Sequence, residues 1–89
     1  MNKHIYKVIK WLEDPESVSQ EERDKNKKEA YDAAYAAYAA DACDAAAAYH
    51  AAAYAAENDQ EHVSFWVNEY LQETGENKQD YLDAIDADK

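Results

Sequence analysis

Residues 29–57 read EAYDAAYAAYAADACDAAAAYHAAAYAAE, with no glycine, no proline and no β-branched residue. Alanine orders without losing side-chain entropy, so it has the best intrinsic helix propensity. A run this rich in it predicts a helix ahead of any tertiary contact. Tyr31, Tyr35, Tyr38, Ala42, Ala45, Tyr49, Ala52 and Ala56 follow at steps of four and three residues. Such steps hold one stripe to one side of a helix. The stripe reads as a packing seam, either within the molecule or between two copies of it. Tyr54 lies off the stripe and reads as the more exposed tyrosine.

Upstream, Ser19-Gln20-Glu21-Glu22 has the form of a capping box, in which hydroxyl and carboxylate satisfy the free N–H groups of a first turn. Gln20, Glu21 and Glu22 also lie toward the positive end of the helix dipole. Nothing breaks the helix until Asn58-Asp59, so the sequence predicts one helix over about residues 20–57. At about 1.5 Å per residue it would be roughly 57 Å long. Its first third, EERDKNKKE (21–29), is charged on all sides and reads as solvated.

Shorter helices flank the rod. Asn2 can cap a first one, in which Ile5, Val8, Ile9 and Leu12 form an apolar face that Trp11 widens. It stops at Glu13-Asp14-Pro15, because the residue before proline is driven out of the helical region. Downstream, Asn58 and Glu61 suggest another capping box. Val63, Trp66, Val67, Tyr70 and Leu71 recur at helical spacing with Phe65 beside them, and Gly75 suits a left-handed end. Asn77 can cap a last helix with Tyr81, Leu82 and Ile85 on one face, and residues 86–89 should fray. The expected fold is all-α, one domain over residues 1–89. It is an antiparallel bundle of three or four helices built on the long alanine-rich helix, which its short neighbours cannot cover on all sides.

Eighty-nine residues lie near the lower end of what one core stabilises alone. The single cysteine, Cys43, cannot form an internal disulfide, which fits a reducing cytoplasm. There is no positively charged start with an apolar run behind it, so no signal peptide is expected. Asp32, Asp41, Asp44 and His50 interrupt the alanine run, which argues against a membrane span.

Charge is the most informative total. The net value is −11, of which residues 1–28 contribute +1 (seven Lys/Arg, six Asp/Glu) and residues 29–89 contribute −12 (two Lys, fourteen Asp/Glu). A field of that sign repels nucleic acid and speeds encounter with basic proteins. Direct nucleic-acid or membrane binding is therefore not expected.

Two features suggest a contact surface. The eight tyrosines can act as rigid amphipathic anchors, a residue type enriched where binding energy concentrates, or can simply fill space between alanine helices. The acidic residues form rows, Glu69, Glu73 and Glu76, then Asp80, Asp83 and Asp86. Helical neighbours of this kind stand about 5–6 Å apart, close enough to imitate a run of phosphates, or to serve only as solvated faces. The expected partner-binding residues are Tyr54 and these six carboxylates. Catalysis, a cofactor and a metal are not expected. Cys43 and His50 lie two turns apart, no paired Cys or His motif exists, and one glycine makes no phosphate loop.

The segment 30–57 resembles the alanine- and tyrosine-rich stretches of small accessory proteins of tailed bacteriophages, and also those of some bacterial immunity proteins. The flanks KVIKWLEDPESVSQEE (7–22) and FWVNEYLQETGENKQDYLDAI (65–85) are similar in style. The resemblance implies a phage-encoded protein acting in the host cytoplasm on a host factor, such as a component of a defence system, with no catalytic residues. The expected function is a non-enzymatic interaction protein that binds and inhibits or redirects a host protein with a basic surface. The alternatives are a DNA mimic seated in a basic cleft and a structural homodimer joined through the tyrosine stripe.

Overall fold

The computed structural model describes residues 1–38 and 43–89, with side chains described outside 37–43. Among the described residues every regular element is a helix: α1 (Lys3–Glu13), a 3₁₀ turn (Pro15–Ser17), α2 (Gln20–Tyr38), α3 (Cys43–Ala56), α4 (Gln60–Thr74) and α5 (Lys78–Ala87). The fold is an all-α bundle.

The single long helix over 20–57 is corrected to two helices that lie side by side. Gln20 Nε2 donates to the Ala56 carbonyl at 2.7 Å, Arg23 Nη1 donates to the Ala55 carbonyl at 3.0 Å, and the Tyr31 and Tyr49 rings meet at 5.4 Å. Descending partners for ascending residues make α2 and α3 antiparallel. One continuous helix would hold Gln20 and Ala56 about 54 Å apart, yet the longest dimension of the molecule is 36 Å. Helix propensity is local and is satisfied equally by one long helix or two shorter ones. Burial favours the pair, which covers methyl groups that a lone rod would leave wet.

The same reading orders the remaining helices. His4 pairs with Asn26 and Lys7 approaches Glu22, so α1 runs antiparallel to α2. His50 meets Trp66 and Tyr54 meets His62, so α4 runs antiparallel to α3. Asn2 reaches Tyr81 and Tyr6 reaches Asp88, so α1 and α5 run in the same sense. Helix α3 is central, with α2 on one flank, α4 on the other, and α1 packed against it as well.

Packing in the middle depends on small residues. Ala47, Ala48, Ala51, Ala52 and Ala55 of α3 are buried. Methyl groups let helix axes approach the lower limit of about 8 Å. Each contributes only about 0.8 kcal/mol, against roughly 1.5–3 for a buried Ile, Val or Phe-sized side chain. Most burial energy therefore comes from larger side chains around it: Ile5, Val8, Ile9 and Trp11 of α1, Val18 just before α2, Val63, Val67 and Tyr70 of α4, and Tyr81 and Ile85 of α5, which packs on α1.

Several caps follow the sequence. The Asn2 side chain accepts from the backbone N–H of His4 and Ile5, Asn77 from that of Gln79, and Gly75 closes α4 in the left-handed region at φ 73°. At Ser19 one arm of the box forms, Glu22 N–H to the hydroxyl at 3.1 Å, while the Glu22 carboxylate accepts from that hydroxyl at 3.4 Å. Asp59, not Asn58, caps α4, its side chain accepting from His62 N–H. Asn58 itself takes φ 62°, a conformation that asparagine tolerates better than most residues.

The charged start of α2 is not solvated all round. Arg23, Asn26 and Ala30, spaced i, i+3 and i+7, are buried. Arg23 lies 5.2 Å from the Trp11 ring centre and donates to Ala55 O and to the Asn58 side chain. That places a cation against the last carbonyls of α3, the negative end of its dipole, where α3 carries no basic residue of its own. Asn26 bonds both the ring and the carbonyl of His4. Three polar side chains thus fix how α1, α2 and α3 meet.

Candidate functional site

On α3 the buried alanines leave one outward strip, Ala46, Tyr49, His50, Ala53 and Tyr54, half-buried or exposed between α2 and α4. The rings on this strip join those of its neighbours in an unbroken row. Tyr35 stacks on Tyr31 at 6.4 Å, Tyr31 meets the edge of Tyr49 at 5.4 Å, and Tyr49 lies 5.4 Å from His50. His50 continues to Trp66 at 4.5 Å, and Trp66 to Phe65 at 5.2 Å. The six rings come from three helices. Offset and edge-to-face contacts at these separations are mutually favourable. Three of the rings remain open to solvent: Tyr31 is 51% exposed, Tyr35 76% and Phe65 53%.

The row brings together part of the tyrosine stripe. Tyr31, Tyr35 and Tyr49 meet across the α2–α3 pair rather than along one seam, and Ala45 is half-buried. The side chain of Tyr38, and Ala42 altogether, lie outside the described residues, as does the Cys43 side chain. The exposure expected of Tyr54 is reversed, since Tyr54 is half-buried and stacks on His62 at 4.8 Å, beside the core. His62 in turn contacts the Asp59 carboxylate at 2.7 Å. The His62 backbone N–H, followed by its ring, holds the Asp59 carboxyl below the usual value.

The acidic rows are less uniform than their spacing. Glu76 is half-buried: it accepts from the hydroxyls of Tyr70 at 3.0 Å and of Tyr81, whose oxygen also accepts the Asn2 N–H at 3.0 Å. Burial first, with the Tyr81 hydroxyl and the Glu76 carboxylate behind it, raises the Tyr70 phenol above its ordinary value; burial first and then Glu76 raise Tyr81, against the opposing pull of the Asn2 N–H and the Tyr70 hydroxyl. Tyr6 is raised as well, chiefly by its bond to Asp88. Glu69 is half-buried, while Glu73, Asp80, Asp83 and Asp86 are exposed. Asp83 accepts from Gln79 at 2.9 Å, and Asp86 lies 3.5 Å from Lys89.

Sequence reasoning passed over His50, Trp66 and Phe65 as surface groups because they come from different helices. The usable signal was Phe65, adjacent to Trp66 and off the apolar face of α4. Among the described residues no three His, Cys, Asp or Glu side chains gather as a metal site, and no helix is long and apolar enough to cross a membrane. No family model, curated protein or solved structure matches the chain.

Proposed function

We propose that this chain is a non-enzymatic interaction protein whose outer α2–α3–α4 face docks a partner protein with a basic surface. The observation that supports this reading most is the exposed ring row, set in a part of the chain rich in carboxylates. Tyrosine and tryptophan give large contact area at small entropy cost, and acidic surroundings steer a basic partner. With the resemblance to tailed-phage accessory proteins, the proposed target is a host protein that this chain inhibits or redirects.

The test is affinity capture from bacterial lysate at low and moderate salt, comparing the parent chain with a Tyr31→Ser/Tyr35→Ser double variant. The expected result is a partner retained by the parent and lost by the variant. Recovery of nothing at either salt, or equal recovery by both proteins, overturns the proposal. Displacement of the partner by excess duplex DNA together with indifference to the tyrosine changes would transfer the contact to the acidic rows, as in a DNA mimic.

A further inference from the structure

We infer that the ring row binds arginine side chains carried by a segment of the partner, with guanidinium planes laid on the tyrosine and tryptophan rings; this rests on the docking face proposed above. An aromatic face carries negative charge density and attracts a cation within about 6 Å of its centre. Guanidinium, planar and weakly hydrated, stacks there better than a compact, strongly hydrated ammonium group.

Carboxylates flank the row at both ends. Asp32 lies three residues before Tyr35, and Glu69 lies three after Trp66 and four after Phe65. Residues at those separations are neighbours on a helix surface. Residues 29–77 contain ten Asp or Glu and no Lys or Arg. The nearest cations on α2 are Lys27 and Lys28, four and three residues before Tyr31, and they bound the site on that side. The molecule already contains one contact of this type, since Arg23 lies over Trp11 at 5.2 Å.

Other occupants fit less well. A second copy would bring a chain of net charge −11 against another of the same charge. A purely apolar segment would bury Asp32 and Glu69 beside groups that cannot compensate them.

The test uses the full chain and two short synthetic peptides, an arginine–serine repeat and its lysine–serine counterpart, titrated at one ionic strength and followed by NMR. The expected result is about five-fold tighter binding of the arginine peptide. Shifts should be concentrated on the Tyr31, Tyr35, Tyr49 and Trp66 ring signals. Tyr31→Ser/Tyr35→Ser, which changes two exposed positions and should retain the helical far-UV spectrum, is expected to bring the arginine peptide down to the lysine level. Equal affinity for both peptides, or shifts centred on residues 80–86, overturns the inference and leaves only charge attraction. A dimer in sedimentation that Tyr35→Ser dissolves also overturns it, because a second copy is then the occupant. A lysate partner that needs the tyrosines, with no arginine preference in the peptides, removes this inference and leaves the docking reading standing. Arginine preference with no lysate partner upholds the guanidinium-binding chemistry of the ring row and removes the host protein as its source.

Discussion

The two sides of α3 are built from nearly the same residues and do opposite things. Its inner side is five alanines, buried to the last methyl group, with Ala51 and Ala52 at 0% exposure. Its outer side interleaves Ala46 and Ala53 with Tyr49, His50 and Tyr54, of which Ala46 is exposed and the others half-buried. On the inner side shape decides, because close helix approach leaves no room for a further carbon atom. On the outer side the rings lean on one another as well as on the edge of the core. The lesson is that composition does not separate a buried alanine face from an outward-facing one; the pattern of neighbours does.

Three experiments break or sharpen that contrast. The largest effect is expected from Ile5→Ala on α1, which removes a fully buried side chain that the methyl face of α3 cannot replace. A loss of about 2–5 kcal/mol is expected, a large part of the stability of so small a domain, measured by urea unfolding. A loss below about 1 kcal/mol would mean that the inner side is loosely packed. Next, Ala51→Leu and Ala46→Leu make the same chemical change on the two sides. The first should cost about 1–3 kcal/mol through overpacking, and the second should remain within about 0.5 kcal/mol. Equal costs would erase the distinction between the faces.

The smallest effect at neutral pH comes from the buried phenols. Tyr70 and Tyr81 have folded-state values above the unfolded value of about 10. The folded state therefore holds their protons more tightly. Their contribution is complete below about pH 10 and is lost as pH climbs through the folded values. In an alkaline titration, the phenolate absorbance removed by Tyr81→Phe should be the part that appears late and together with loss of helix signal. Ionisation of Tyr81 near pH 10 with the helices intact would show that the pair with Glu76 is open to water.

Much of the fold was legible in local chemistry. The Asn2 cap, the stop before Pro15, the left-handed Gly75 and the Asn77 cap each depend on a few consecutive residues, and each is where the sequence put it. What was not legible depended on distant partners. Propensity cannot tell one alanine helix from two, so the residues of the α2–α3 pair read locally as a single rod. The burial of Arg23 required Trp11 and the end of α3 to arrive from either side. For the candidate site, Tyr31, Tyr35 and Tyr49 were picked out by spacing along an imagined straight stripe. Their actual association, and its extension through His50 to Trp66, exists only because α3 has antiparallel neighbours on both flanks.

The contacts of Asn2 with Tyr81 and of Tyr6 with Asp88 join positions 79 and 82 residues apart. Helices α2, α3 and α4, by contrast, meet through neighbours in the chain. On a ribosome the latch between first and last helices must wait for residues 81–88 to emerge, whereas the aromatic row needs nothing beyond α4. Such short-range pairing forms early, so the aromatic face is complete before the molecule's own two ends have closed.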